Sequence, residues 1–156
     1  MALRIDLLTV GRPRNAALAS LHDDYASRIV RLGVRYAARH VPEVRLTGRT
    51  NEDHVRETEA RGLLEAVGGK GMHVALDAAG ELLTSEALAR KLPRWGERGV
   101  TFTVGGHLGL HRSVLEAADW VWSLSPLTFP HEMARVLVAE QLYRAVTIAR
   151  RVPYHK

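Results

Sequence analysis

Val100-Thr101-Phe102-Thr103-Val104-Gly105-Gly106-His107-Leu108-Gly109 is the stretch from which the fold is read. Its β-branched and aromatic residues predict a strand, and its glycines predict a tight turn directly after it. Downstream, His111 to Ala118 reads as a short helix, Trp120 to Leu124 as another strand, and His131 to Arg150 as the longest helix. Upstream, Met72 to Leu76 predicts a strand that finishes at Asp77. Thr84 then serves as N-cap for a helix running to about Glu97, with Pro93 inside it. Asp53 to Val67 reads as a charged helix closed by Gly68-Gly69-Lys70-Gly71. Within Met1 to Val10, the residues Leu3, Ile5, Leu7, Leu8 and Val10 predict a buried first strand. Asn15 to Leu32 has helical spacing, with Leu18, Leu21, Tyr25 and Ile29 on one face and Gly33 as the stop. Val34 to Val41 predicts a second strand, and Pro42 to Glu52, with Arg45, Gly48 and Arg49, a mobile polar loop.

Strands alternating with helices predict an α/β fold: a mostly parallel sheet with helices on both faces. Ligands of such sheets sit beyond the carboxyl ends of the strands. Three segments leave strands there: Asp77-Ala78-Ala79-Gly80, Gly105 to Gly109, and Ser123 to Phe129. In the longest helix, Met133, Ala134, Val136, Leu137, Val138, Leu142, Ala145, Val146 and Ile148 cover more than one face. Such a helix is buried on two sides, which predicts packing on its own sheet and on a second copy of the chain.

The length of 156 residues predicts one domain, residues 1–156. With 46% hydrophobic and 25% charged residues, a disordered chain is excluded. The absence of cysteine excludes disulfides, thiolate nucleophiles and Cys-ligated zinc. No stretch approaches the ~18 apolar residues a membrane span needs. The apolar start is too short for a secretory signal, so a cytoplasmic location is expected and no membrane partner. The net charge of +5 points to an anionic partner, with RNA or DNA first in line.

Individual motifs leave alternatives open. The glycine run lacks the Gly-Lys-Ser/Thr ending of a P-loop and the spacing of a dinucleotide fingerprint. Its glycines allow a flat ligand to approach the backbone, but a plain strand-to-helix turn needs the same residues. His107 and His111 are four apart without a third ligand, so no metal site is expected. His131, after Pro130, reads as a capping or ligand-loop residue. Ser123 and Ser125 lack the Gly-x-Ser-x-Gly context of a hydrolase nucleophile. Glu140 and Arg144 are spaced for an ion pair on one helix face; Arg144 is alternatively a phosphate contact. Arg12, Arg14, Arg45, Arg49, Arg150 and Arg151 form a distributed phosphate-binding surface or are simply solvated.

Three segments together are more specific than any one motif. They are Gly105-Gly106-x-x-Gly109-Leu110, then Trp122-Ser123-Leu124-Ser125-Pro126-Leu127-Thr128-Phe129-Pro130-His131, then Arg135 to Ala145 with Ala139-Glu140-Gln141-Leu142-Tyr143-Arg144, closed by Pro153-Tyr154-His155. With the strand ending in Val10-Gly11 and the strand end at Leu76-Asp77, they resemble the large-subunit ribosomal RNA methyltransferase H family of the SPOUT superfamily. The resemblance implies an α/β knot whose C-terminal segment is threaded into a trefoil, and a homodimer. It implies S-adenosylmethionine as cofactor and methylation of N3 of a pseudouridine in an interface stem-loop of 23S ribosomal RNA, with the assembled 70S ribosome as substrate. Carried over by position, the cofactor residues are Leu76, Gly105, Gly106, Leu124, Ser125, Pro126, Leu127, Thr128 and Phe129. His131 and Arg144 are the RNA-facing positions, and His155, Tyr154 and Arg144 the catalytic candidates.

One departure stands out. The family usually has proline and an acidic residue after the paired glycines, where this chain has His107-Leu108. Removal of the N3 proton needs a base near neutral pH. Tyr154 and His155, in a tail after a buried helix, are expected to close over the target base, one aiding deprotonation and the other stacking. Two other readings use the same residues: a SPOUT enzyme acting on transfer RNA, and a ribosome-binding protein without catalysis, which the His107-Leu108 departure favours.

Overall fold

Short apolar segments with glycine or proline at their ends become strands, and the longer amphipathic segments between them become helices. The computed structural model describes residues 3–49 and 51–155. Met1, Ala2, Thr50 and Lys156 lie outside the described residues, and with them the expected start of the first strand and the last residue of the tail. The elements alternate as β1 (Arg4–Val10), α1 (Ala16–Arg31), β2 (Arg35–Val41), α2 (Glu52–Val67), β3 (Met72–Leu82), α3 (Ser85–Gly96), β4 (Val100–Val104), α4 (Arg112–Ala117), β5 (Trp120–Ser123) and α5 (His131–Ala149). The five strands form one sheet in the order β2-β1-β4-β3-β5, and every neighbouring pair is parallel.

Alternation along the strands divides the core in two. Ile5, Leu7, Val74, Val100, Phe102 and Val104 face the layer made by α1, α3 and α5, where they meet Ile29, Leu88, Leu92, Leu142 and Val146. Leu8, Val10 and Ala75 face the opposite layer and meet Leu63 of α2 and Val114 of α4. Thr84 caps α3 as expected, and two caps that were not expected, Asn15 and Asn51, start α1 and α2. Asn15, Asn51 and Thr84 each accept a hydrogen bond from a backbone N–H of the first turn. Gly68 closes α2 in the left-handed conformation at φ 69°.

Three expectations change in the structure. β3 does not finish at Asp77 but runs to Leu82, and its pairing with β5 shifts register, so that Leu76 and Glu81 both stand opposite Trp122. Residues 77–80 bulge out of the ladder between those two points. A Cβ on Gly80 would come within 2.7 Å of the Val121 carbonyl oxygen, so only glycine lets the bulge close. In α1, the buried positions are His22 and Ile29, whereas Leu21 is 44% exposed. The helix is rotated by the hydrogen-bonded contact of His22 Nε2 with the Tyr36 hydroxyl at 2.7 Å. Finally, α5 lies between α1 and α3 on the sheet. Most of its apolar surface is thus covered within the chain, though Met133 stays 41% exposed, and its two-sided apolarity does not by itself require a second copy.

Leu142 is fully buried where α5 meets this core. Leu142→Ala is expected to cost about 2–5 kcal/mol, read as a lower midpoint at unchanged slope in urea denaturation. A loss well under 1 kcal/mol would mean that α5 is not the centre of the core.

Candidate active site

The bulge of β3 and the carboxyl ends of β4 and β5 meet beside the start of α5, and they enclose a cavity of about 310 Å³. Leu76, Asp77 and Ala78 reach it from the β3 bulge, and Val104 to Leu110 from the turn after β4. Leu124, Ser125, Leu127, Thr128 and Phe129 come from the loop after β5, and His131 and Ala134 from α5. The volume lies at the lower end of small-molecule sites. A larger cavity of about 620 Å³ sits at the opposite end of the sheet, beside Leu3, Pro93 and Ala149. That one has an aliphatic lining apart from Glu97 and Arg150, and no glycine turn.

Local chemistry shapes each wall. Gly105 packs so closely on the far side of its own turn that a Cβ would stand 2.5 Å from the Gly109 carbonyl carbon. Gly106 and Gly109 pair as an isolated antiparallel bridge, and Gly109 has φ 80°. The Ser123 hydroxyl is placed 3.0 Å from both the Ala78 and Ser125 carbonyl oxygens, tying the bulge to the loop after β5. Asp77 Oδ2 accepts from the Ala79 N–H at 2.9 Å, and Ser125 Oγ from the Leu127 N–H at 3.0 Å. Leu127 is 70% exposed at the rim. The lining thus offers backbone polar groups from glycines beside apolar side chains. That donor set suits a flat heteroaromatic group with hydrogen-bonding edges, which S-adenosylmethionine carries.

Every cofactor position named from the sequence lines this cavity except Pro126, which stands in the same loop with its side chain outside the lining. His131 lines it as the first residue of α5, one position after Pro130, the N-cap, which offers no side-chain capping bond. Arg144, Tyr154 and His155 do not line it. After α5 the chain turns back at Arg151, which has φ 56°, and the Val152 N–H donates to the Thr147 carbonyl at 2.9 Å. The tail then runs along α5 until the Tyr154 hydroxyl donates to Glu140 Oε1 at 3.1 Å. Glu140 is nine residues beyond His131, roughly 13 Å along the helix axis. Tyr154 and Arg144 are therefore held away from the cleft of their own chain, contrary to a tail that closes over it, and His155 beside them is exposed. The Glu140–Arg144 pair forms, at 2.6 Å. Among the loop arginines, Arg14 is held by Glu43 and Arg150 by the Leu32 carbonyl, while Arg12, Arg45, Arg49 and Arg151 are exposed.

A ring of charge behind the cleft had no signal in the sequence. His107 Nδ1 lies 3.5 Å from Glu43 Oε1, and Glu43 Oε2 accepts from Arg14 at 3.0 Å. Glu132, in the first turn of α5, accepts from the backbone N–H groups of Arg14 and Asn15 at 2.7 and 3.0 Å. Those two bonds hold its carboxyl below the usual range. Glu59 on α2 is buried, accepts from the Val44 N–H at 3.2 Å, and faces Gly106 from behind. Carboxylates from two other elements thus converge on the turn that lacks its own acidic residue. His111 caps α4 through Nδ1 rather than joining His107. Among the described residues no three His, Cys, Asp or Glu side chains group as metal ligands.

Comparison with known proteins follows this geometry. Residues 3–155 match the family described as "Predicted SPOUT methyltransferase". A protein of Gemmatimonas aurantiaca named ribosomal RNA large subunit methyltransferase H is 42% identical over 158 residues, covering 99% of this chain and 100% of that protein. Proteins of the same name from an Anaeromyxobacter species and from Methylobacillus flagellatus are 40% and 38% identical, each covering 99% of this chain and at least 99% of their own length. A solved structure, a probable methylase family protein from Haemophilus influenzae, superposes with a TM-score of 0.57 at 15% identity, covering 98% of this chain and 70% of that one, a likeness of fold.

Burial pushes the Glu59 carboxyl above its ordinary value, against the pull of the Val44 hydrogen bond. The folded chain therefore holds this proton more tightly than the unfolded chain. The stability so gained is complete below the unfolded value, and it is lost as pH rises through the folded one. Glu59→Gln keeps an acceptor for Val44, so at neutral pH it is expected to melt no lower than the parent. The parent should gain on the variant as pH falls toward about 4. A variant that melts lower by the same margin at every pH would show the carboxylate to be stabilising instead.

Proposed function

We propose, from the premise that the chain belongs to the SPOUT methyltransferase family, that it transfers a methyl group from S-adenosylmethionine to N3 of a pseudouridine in 23S ribosomal RNA of the assembled 70S ribosome. The observation that carries this reading is the cleft at the β3 bulge and the ends of β4 and β5, lined by all but one of the positions at which the family resemblance puts the cofactor. The names of the relatives, all nearly equal to this chain in extent, point the reaction at the large ribosomal subunit. No helix of the described residues is long and apolar enough to cross a membrane. A cytoplasmic site of action belongs to the same proposal, as do a single domain and the C-terminal trefoil knot.

When bound, the cofactor supplies a methyl group already activated on a sulfonium, so the protein's task is alignment and exclusion of water. Leu76, Leu124 and Phe129 would flank the adenine, and the backbone of Gly105 to Gly109 would take its polar edge. His131 at the mouth and the exposed arginines Arg12, Arg45 and Arg49 would meet RNA phosphates. The chain acts as a homodimer in this reading. A tail anchored at Glu140 lies too far along α5 to serve its own cleft, so Arg144, Tyr154 and His155 of a second copy complete the site.

The test is transfer of a labelled methyl group from S-adenosylmethionine to assembled ribosomes, isolated large subunits and bulk transfer RNA, all from a strain lacking the native enzyme. Label only in assembled ribosomes, mapped to N3 of one pseudouridine, is expected. Label in transfer RNA would keep the fold and change the substrate. No label despite cofactor binding would favour the binding protein. Gly105→Ala, whose Cβ would meet Gly109 at 2.5 Å, is expected to weaken S-adenosylmethionine binding at least about tenfold in calorimetry, because the turn must open to admit it. Unchanged affinity would place the cofactor elsewhere.

A further inference from the structure

Glu140 is the most heavily engaged carboxylate outside the cleft. Its side chain is 15% exposed. Oε1 accepts from Arg144 Nε at 3.0 Å, from an Arg144 terminal nitrogen at 2.6 Å and from the Tyr154 hydroxyl at 3.1 Å. Oε2 accepts from Gln141 Nε2 at 2.7 Å, and Gln141 Oε1 in turn accepts from the Ser85 hydroxyl at 2.7 Å, at the start of α3. One carboxylate is thereby braced from α3 on one side and holds two site candidates on the other. Tyr154 is fixed further by its neighbours. Its ring meets Tyr143 edge-on at 4.6 Å between centroids, and the Arg144 guanidinium lies over it at 4.9 Å. Tyr25 of α1 packs on the other partner of that ring pair, its ring 6.2 Å from the Tyr143 ring.

We propose that Glu140 is the positioning residue of the tail: by holding the Arg144 guanidinium and the Tyr154 hydroxyl on one oxygen, it keeps Tyr154 a neutral, oriented ring that faces the target base and does not take its proton. The proposal rests on the methyltransferase reading above. A phenol that donates to a carboxylate cannot at the same time be a free phenolate, because removing its proton would set two negative oxygens against each other. The direction of the Tyr154 shift agrees, since burial, Tyr25 and Glu140 all push the phenol upward. The titratable and charged groups around it are Glu140, Tyr143 and Arg144 of α5 with Tyr25 and Arg28 of α1. Tyr154 then serves by stacking and edge contact with a base, the use RNA-binding proteins commonly make of aromatic rings.

Glu140→Gln in the full-length chain tests this in two ways. In methyl transfer to ribosomes, kcat is expected to fall by about 10- to 100-fold through lost alignment, with KM for S-adenosylmethionine unchanged. In ultraviolet titration of the tyrosines, read as the difference from a Tyr154→Phe chain, the Tyr154 phenol is expected to ionise at lower pH once the carboxylate charge is gone. Combined with Tyr154→Phe, Glu140→Gln should add less than it costs alone. Full kcat, an unmoved titration, or a loss that adds in full to Tyr154→Phe would each overturn the proposal, the last showing a packing role. If Glu140→Gln fails to fold, Glu140→Asp keeps the charge, withdraws it by one methylene, and is read by the same kcat and additivity. A parent chain that moves no methyl group overturns the reading beneath the proposal. The titration needs no substrate and still decides the Glu140–Tyr154 contact.

Discussion

Helix α5 has too much apolar surface to show a flank to water, and the rest of the chain is arranged to cover it. Val138, Leu142, Ala145 and Val146 belong to the core that also holds Ile29 of α1, Leu88 and Leu92 of α3 and the upper face of the sheet. Burial of this kind has no directional preference, so two further contacts set the helix along its axis. Glu132 takes the backbone N–H groups at the start of α1, and Gln141 meets Ser85 at the start of α3. With its first turn and its middle registered, α5 reaches the mouth of the cleft at the one and carries the Glu140 cluster at the other. Function in this chain hangs on one helix whose position is decided by packing and whose register is decided by polar bonds.

Much of the architecture was legible because it is written in local period and punctuation. The strands around Phe102 and Trp122 and the helix starts at Asn15 and Thr84 follow from β-branched runs and capping residues. Errors arose where tertiary contacts overrode local pattern. Leu21 looks like a core residue by spacing, yet His22 takes the buried place because Tyr36 on β2 supplies a hydrogen bond for its ring. Burial lowers the affinity of that imidazole for a proton, consistent with a neutral ring serving as structure. Asp77 looks like a strand end, and the ladder does break there. The strand resumes at Glu81 because the bulge returns the chain to β5, a pairing that no local rule announces.

The candidate site divides along the same line. Glycines 105, 106 and 109 serve a plain turn as well as a ligand cradle, and spacing alone did not separate the two. The structure separates them by bringing the β3 bulge and the loop after β5 to the same place, so the turn faces a cavity and not solvent. Glu43 and Glu59 were invisible because they belong to a loop and a helix far away in sequence, and nothing local marks either as a neighbour of His107. Their presence gives the His107-Leu108 departure a physical account. Acidic side chains reach the turn from the elements behind it, Glu43 beside His107 and Glu59 behind Gly106. An absent acidic residue in one segment is therefore weak grounds for inferring an inactive chain when the fold brings carboxylates from elsewhere.

The tail shows why resemblance by position falls short of a mechanism. Arg144, Tyr154 and the cleft residues belong to one pattern in the sequence, yet in the fold α5 separates them by more than two helical turns. A rigid helix is a poor hinge, and the tail is bonded to its last turn through Val152 and to its middle through Tyr154. Bringing both groups to one base within a single chain would break those bonds and strip Glu140 of its partners. In the proposed reaction the two halves meet without any such loss if the cleft comes from one copy and the tail from another. Each chain then keeps its own braces intact. The apolar burial of α5 within the chain, which removed the simplest reason to expect a dimer, leaves this division of the site as the stronger one.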